Sequence, residues 1–509
     1  MQDAHDILVV GGGINGAAVA RDAAGRGARV LLVEQNDLAA HTSSASTKLI
    51  HGGLRYLEQF EFRLVGEALA ERERLLHAAP HLIRPLEFVL PHERSMRPGW
   101  MMRLGLFLYD RLGGASSLAR SHAVRLDRGT RGAPLQPQHR RGYVYWDCWG
   151  DDSRLVVANA ADAAQRGAAI RTRTRLLSAE RKEGRWQAEI EGPEGIQHVS
   201  ARALVNATGA WAADFLPQRA KVATRSALRL IKGSHIVTRR LFDGDHAYLL
   251  QNPDKRVVFA IPYEGAFTLI GTTDVAWDGA LDRVEIDAAE TDYLCESVNR
   301  WLRTPISAAD VVWSYAGLRP LYDDAEANPS AISRDYVLSL DAENGQAPVL
   351  SIFGGKITTH RALANRAVDQ LAPFLPLLGA AWTDDAVLPG GDLGAGGLSA
   401  LVESIAARAP FLDGRTARRL AESYGTSAYR VLGGATSASD LGEAFGAGLT
   451  EAEVEYLLTE EWAQTAEDIL WRRSKLGLHM TPEAIARLTA YVEGRAGATR
   501  QTCEQIAGT

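Results

Sequence analysis

The first stretch of this chain, up to Glu34, constrains its fold more than any other. A short apolar run, Asp6 to Val10, ends at Gly11-Gly12-Gly13-Ile14-Asn15-Gly16. A small-residue helical stretch follows from Ile14 to about Gly25, and a second apolar run, Arg29 to Val33, ends at Glu34. Strand, glycine turn, helix, strand and terminal acid in that order define a nucleotide-binding unit. Gly11, Gly13 and Gly16 supply G-x-G-x-x-G. The first permits a tight turn, the second lets backbone N–H groups approach a pyrophosphate, and the third lets the helix lie close on the strand; Gly12 completes the turn. The helix N-terminus favours the negative charge. Glu34 is placed to accept hydrogen bonds from ribose hydroxyls. The motif opens an α/β, Rossmann-like domain and leaves the dinucleotide open between NAD and FAD.

With 509 residues the chain exceeds one ordinary core. Two further strand candidates end at glycine-bearing turns: Ala203 to Asn206 before Ala207-Thr208-Gly209, and Val349 to Phe353 before Gly354-Gly355. Between them, Arg256 to Tyr263 and Phe267 to Thr272 flank Glu264-Gly265-Ala266 as an antiparallel hairpin. This predicts a discontinuous nucleotide domain, residues 1–90, 150–225 and 330–388, with an inserted antiparallel-sheet substrate region at 91–149 and 226–329. The glycine-rich residues 389–397 read as a linker, and 398–509 as a C-terminal helical domain. In that tail Thr450 and Glu453 have capping-box spacing, and Thr481-Pro482-Glu483 marks a helix start.

Composition excludes several classes. A net charge of −6 argues against a nucleic-acid binder. The three cysteines, Cys148, Cys295 and Cys503, form no C-x-x-C pair, so neither a disulfide framework nor a metal site is expected. The N-terminal residues run into a strand without a basic segment or cleavable apolar region, which predicts a cytoplasmic protein. No apolar run approaches the ~20 residues of a spanning helix; Leu104 to Tyr109 is bounded by Arg103 and Asp110.

A flavin needs a segment crossing beside its ring and donors near its N1–C2=O edge. Two stretches are candidates. Thr42-Ser43-Ser44-Ala45-Ser46-Thr47-Lys48 runs into His51-Gly52-Gly53-Leu54-Arg55-Tyr56, and Gly354-Gly355-Lys356-Ile357-Thr358-Thr359 joins a strand to a helix. Taken singly, each is equally a polar loop or a helix cap. Together with Val10 to Gly27 they closely resemble the signatures of FAD-dependent, respiratory-type glycerol-3-phosphate dehydrogenases. The likeness continues through Glu61 to Val65, Arg97 to Asp110, Gly317-Leu318-Arg319-Pro320 and Glu461 to Lys475. Ala18 departs from a glycine usual in the first signature, and His360 from a tyrosine usual after Thr-Thr.

The resemblance implies an FAD enzyme that oxidises sn-glycerol 3-phosphate to dihydroxyacetone phosphate and passes electrons to a membrane quinone. An oxygen-using glycerol-3-phosphate oxidase, or an amine or 2-hydroxy acid oxidase, is the alternative. It further implies cofactor contacts from Thr42, Ser43, Ser44, Lys48, Gly209, Gly354, Gly355 and Thr358. Substrate contacts would come from Arg55, Tyr56, Arg319 and Arg334, since guanidinium groups suit a phosphate dianion. Arginine is a poor base, so the proton acceptor is sought at His51 or His235, with Lys356 as a third candidate. Trp211 reads as structural. Trp100, Leu104, Phe107 and Leu108 recur at helical spacing within 97–112 beside Arg97, Arg103 and Arg111. They form a candidate peripheral contact with the inner face of the cell membrane. A homodimer is compatible with the sequence.

Overall fold

The computed structural model describes residues 3–93, 97–222, 227–322, 335–342, 345–376 and 378–507, with side chains as far as 495. Arg334 lies outside the described residues. The opening strand Asp3–Val10 stands in an eight-stranded sheet. It is flanked in parallel by Val30–Val33 and Gly195–Asn206, with Ala169–Arg171 and Val349–Phe353 parallel beyond them. Val337–Asp341 closes one edge in antiparallel fashion, and Arg175–Lys182 with Arg185–Gly192 extends Gly195–Asn206.

Helix Ile14–Gly25 is buried along most of its length because its side chains are small. Gly16, Ala17, Ala20, Ala23 and Ala24 let it pack between helices Asp152–Gln165 and His360–Leu371. Ala18, at the position that departs from the family signature, is also buried there. Arg21 on this helix and Arg26 at its C-cap stay charged through ion pairs, Arg21 with Asp162 at 2.6 Å and Arg26 with Asp22 at 2.7 Å.

A second sheet of ten strands carries the inserted region. It includes Leu228–Arg239, Val311–Tyr322 and the hairpin Val257–Tyr263 and Phe267–Gly271, whose turn has positive φ at Glu264 (45°) and Gly265 (71°). Phe88, Tyr145, Tyr263 and Phe267 form the core on one face; Tyr248, Leu294 and Trp301 form it on the other. Leu49–Ile50 and Ile83–Pro91 each pair with Arg141–Gly150 in this sheet, although the first lies within 1–90 and the second does so but for Pro91. The chain therefore changes layer earlier than the glycine signals indicate.

The tail has its own core around Ile405, Tyr424, Phe445, Leu457 and Leu488. Helix Pro482–Ala507 starts where the Thr-Pro signal places it, with Ala484 N–H donating to Thr481 Oγ1 at 3.3 Å. Thr450 caps Glu451–Glu460 by position but makes no side-chain cap. The glycine-rich 389–397 is not a loose tether throughout: Gly390 and Gly391 are buried, and Thr426 N–H donates to the Gly390 carbonyl at 3.1 Å. Among the described residues no helix is long and apolar enough to cross a membrane.

Candidate active site

The site starts at the glycine turn. Gly11 has φ of 113°, and a Cβ there would lie 2.4 Å from the Ala207 carbonyl oxygen; at Gly16 it would lie 1.9 Å from the Gly11 carbonyl oxygen. Gly12 N–H donates to Glu34 Oε2 at 2.6 Å, and Asn36 N–H to Oε1 at 2.8 Å. Burial pushes the Glu34 carboxyl up, while these two donors favour its charged form. Ile14 N–H at the helix start donates to Ser43 Oγ at 3.0 Å, tying the glycine turn to the hydroxyl-rich segment. A cavity of about 370 Å³ opens here, lined by Gly11, Gly13, Glu34, Ser43, Thr174 and Gly209 among others. A second, of about 550 Å³, adjoins it through His41, Thr42 and Trp211 and runs along Trp313 to Leu318.

The second sheet approaches the second cavity through two glycines. In the register of Leu228–Arg239 with Val311–Tyr322, Gly233 faces Gly317, His235 faces Tyr315 and Ile231 faces Arg319, so these residues share one face. A Cβ on Gly317 would lie 2.7 Å from Ala45 Cβ, and one on Gly233 would lie 2.4 Å from Arg319 Nη2. The missing side chains thus admit the segment from Thr42 and the Arg319 guanidinium. Thr42 Oγ1 donates to the Leu318 carbonyl at 2.7 Å. Arg319 is steered by Asp274 at 2.6 Å and by the Thr273 carbonyl at 2.6 Å, and stays partly exposed.

His235 is buried, stacked on Tyr315 with ring centroids 4.7 Å apart, and its Nε2 meets Thr47 Oγ1 at 2.9 Å. Burial first, then Lys48 and Arg319, hold its imidazole well below the usual range, so it is neutral. Lys48 is itself enclosed: its ammonium donates to Asp152 at 2.7 Å and to the Ser44 carbonyl at 2.6 Å. It lines neither cavity and acts on the segment through Asp152, which also accepts from Ser46 N and Oγ.

The late glycine turn meets the stretch from His51 to Tyr56 across some three hundred positions. His51 N–H donates to Thr358 Oγ1 at 3.2 Å, and Lys356 Nζ stands 3.9 Å above the Tyr56 ring. Gly53, at φ of 76°, makes that ring position available, since a Cβ would lie 2.2 Å from Tyr56. Gly354 and Gly355 both take positive φ, and the Gly354 carbonyl accepts from Asn15 Nδ2 at 3.2 Å. Ser44 Oγ donates to the His41 carbonyl at 3.2 Å. Arg55 follows Gly53 in the same short helical turn, Leu54–Gln59.

Sequence reasoning missed several residues. Trp211, expected to be structural, lines both cavities and packs edge-on against His41, centroids 4.7 Å apart. Trp471 and Arg472 reach the second cavity from the tail. Asp152 is hidden behind the site. Trp471 and Arg472 lie in the Glu461 to Lys475 stretch of the family likeness, but nothing local in it points to the cavity; for Trp211 the signal was an aromatic residue beside a glycine turn, and Asp152 had none.

The match to known proteins covers both parts of the chain. Residues 6–361 match the family model for FAD-dependent oxidoreductases, and residues 381–501 that for the C-terminal domain of alpha-glycerophosphate oxidase. The chain is 53% identical to the glycerol-3-phosphate dehydrogenase of Pseudomonas aeruginosa over 97% of its own length and 96% of that protein's. It belongs to the FAD-dependent glycerol-3-phosphate dehydrogenase family. It is also 48% identical to the D-erythritol 1-phosphate dehydrogenase of Brucella abortus, over 96% and 97% of the two chains. Among solved structures, the glycerol-3-phosphate dehydrogenase from Bacillus halodurans complexed with FAD aligns with a TM-score of 0.72 at 26% identity. That alignment covers 96% of this chain and 94% of the other.

FAD is the cofactor of this dehydrogenase family, and the residues fit it. The cradle at Gly11 and Gly16 would be filled by any Cβ, helix Ile14–Gly25 starts at the cavity with no acidic side chain in its first turn, and Glu34 lines the wall where the ribose belongs.

Proposed function

We propose that this dehydrogenase oxidises sn-glycerol 3-phosphate to dihydroxyacetone phosphate and delivers the electrons to a quinone at the inner face of the cell membrane. When bound, FAD supplies the hydride acceptor. The rest falls to the protein. Gly11, Gly12, Gly13, Gly16 and Glu34 hold the adenosine and pyrophosphate, while Thr42, Ser43, Ser44, Gly209, Gly354, Gly355 and Thr358 surround the remainder. Arg55, Arg319 and Lys356 bind the substrate phosphate, and Arg334 belongs to the same set. Tyr56 packs under Lys356 and fixes the ammonium by a cation–π contact. His51 accepts the hydroxyl proton, and neutral His235 is the second candidate acceptor.

The observation that supports this reading is the contact of the His51 backbone N–H with Thr358 Oγ1 and of Lys356 Nζ with the Tyr56 ring, which brings the His51 segment and a cation to the late glycine turn. The Brucella relative's name favours one rival, a longer polyol phosphate. Anaerobic addition of glycerol 3-phosphate is expected to bleach the flavin, with glycerol inactive and D-erythritol 1-phosphate slower. Faster bleaching by the four-carbon substrate would overturn the substrate assignment. Arg319→Ala is expected to raise KM on the order of 10- to 100-fold with the flavin retained, the loss of a charge-assisted hydrogen bond. An unchanged KM removes Arg319 from the substrate site.

Support for the membrane reading comes from helix Gly99–Leu112. Leu106 and Tyr109 anchor it, while Trp100, Leu104 and Phe107 are 66%, 50% and 49% exposed. Leu108 turns partly inward. Phe60 and Phe62, which no helical periodicity links to this segment, add to the exposed apolar side chains, and an Arg97–Glu58 pair at 2.8 Å connects the two stretches. Apolar side chains rimmed by Arg103 and Arg111 suit an anionic lipid surface.

A further inference from the structure

We propose that the tail segment Glu461–Arg473 is a positioning element for the cofactor, setting FAD affinity by stapling the two loops that wall the adenosine end of the site. It rests on the FAD assignment made above and gives the C-terminal domain a role at that site.

The first loop follows Glu34. Gln35, Ala39, Ala40 and His41 line the nucleotide cavity, and between them Asp37 points away into the protein, fully buried. A buried carboxylate needs partners, and both of its partners come from the tail. Arg473 donates from Nη1 and Nη2 to its two oxygens at 2.7 Å each, and Arg472 donates from Nε at 2.6 Å. Planar guanidinium forks fix direction as well as distance. Asp37 is therefore held in one orientation, and so is the loop, whose Ala39 N–H returns to the Gly12 carbonyl at 3.1 Å. His41 gains its place next to Trp211 partly through Asn36, whose Nδ2 meets His41 Nε2 at 2.9 Å.

The second loop, Thr172 to Thr174, leads into strand Arg175–Lys182, with Thr174, Arg175 and Leu176 on the cavity. Arg173 Nη2 donates to both oxygens of Asp468, at 2.7 and 2.9 Å, and Gln464 Nε2 donates to Thr172 Oγ1 at 3.2 Å. Asp468 also pairs with Arg472, so one tail carboxylate and one tail arginine join the two loops. The loops are cross-linked to each other as well: Arg173 N–H donates to the Asn36 carbonyl at 2.8 Å, and Thr174 N–H to that of Glu34 at 2.7 Å.

The tail backbone is shaped for this. Asp468–Arg473 is a single π-helical stretch, with Ser474 N–H donating to the Ile469 carbonyl at 2.9 Å. The wider turn places the consecutive residues Trp471, Arg472 and Arg473 all inward: Trp471 stacks on Trp313 at 4.5 Å beside the second cavity, and both arginines reach Asp37.

Arg472→Gln in the full chain tests the idea with the fold protected, because Asp37 keeps Arg473 and Asp468 keeps Arg173. After FAD removal, rebinding is followed by quenching of flavin fluorescence, and stability by thermal unfolding of the apoprotein. The expected result is a Kd raised about tenfold or more at an unchanged apoprotein midpoint, with Arg472→Lys closer to wild type. A Kd within about twofold of wild type overturns the proposal, as does a loss of affinity that only tracks a loss of apoprotein stability. Should Arg472→Gln fail to fold, Gln464→Ala removes an exposed end of the same staple and is expected to weaken FAD binding by a few-fold; unchanged affinity there overturns the proposal. Failure of the wild-type apoprotein to rebind FAD would instead sink the cofactor assignment.

Discussion

Gly13 and Gly16, three residues apart in one motif, respond differently to an added side chain. At Gly16 a methyl would meet the Gly11 carbonyl oxygen, a backbone atom, at 1.9 Å, so Gly16→Ala must push the helix off its strand. Overpacking of this kind costs about 1–3 kcal/mol, expected as a lower unfolding midpoint of the apoprotein. At Gly13 only Ser43 Oγ lies near, at 3.0 Å, a side-chain atom rather than backbone. Gly13→Val is therefore expected to leave apoprotein stability near wild type yet abolish FAD retention; a folded variant with full flavin occupancy would contradict the placement. His360, where the family pattern has tyrosine, titrates by design of its surroundings. It is buried, its Nδ1 sits 2.6 Å from the Ile357 carbonyl oxygen, and burial lowers its pKa to about 4. The unfolded imidazole takes a proton near pH 6.5, while the folded one refuses it until about pH 4. Stability is thus lost as pH falls through that window, on the order of 3 kcal/mol in all. His360→Tyr is expected to flatten the slope of unfolding free energy between those pH values. Some slope remains from His81, whose pKa burial lowers to about 3. An unchanged slope in the variant would mean that His360 is protonated in the fold.

Helix Gly99–Leu112 is the element whose two faces the sequence describes best, because an amphipathic period is local information. Its buried side, Leu106 and Tyr109, and its exposed side, Trp100, Leu104 and Phe107, follow the spacing. Leu104→Asp with Phe107→Asp is expected to release the enzyme from anionic liposomes and slow quinone reduction while a soluble dye is still reduced. Parallel loss of dye activity would place the helix in the core instead. The opening strand, glycine turn and helix were legible for the same reason. Strand Ile83–Pro91 was harder, since its residues do not say which sheet they join, and its partner Arg141–Gly150 lies some fifty residues on. The glycine-rich 389–397 misled because glycine marks close approach as well as freedom. A Cβ on Gly390 would lie 2.1 Å from the Tyr424 carbonyl oxygen.

For the molecule as a whole, long-range ion pairs decide how the tail sits, and a charged residue alone does not reveal its partner. Arg154 and Asp37 fall in no site motif, and Asp468 and Glu461 only within the long stretch Glu461 to Lys475, yet all four are buried. Arg154 begins a helix of the nucleotide layer and gives Nη2 to Glu461 Oε1 at 2.9 Å, Nε to the Ser423 carbonyl at 3.1 Å, and its face to the Tyr424 ring at 4.8 Å. All three partners belong to the tail. Removing the carboxylate leaves a buried guanidinium uncompensated, a loss of about 3–5 kcal/mol, and it falls on the junction between two otherwise separate apolar cores. Glu461→Gln keeps the side-chain volume and removes only the charge. The tail core should then lose its hold on the nucleotide core, and calorimetric unfolding should split from one transition into two, the tail melting first. A single transition in the variant, wherever its midpoint falls, would show that the two cores remain one cooperative unit joined by other contacts.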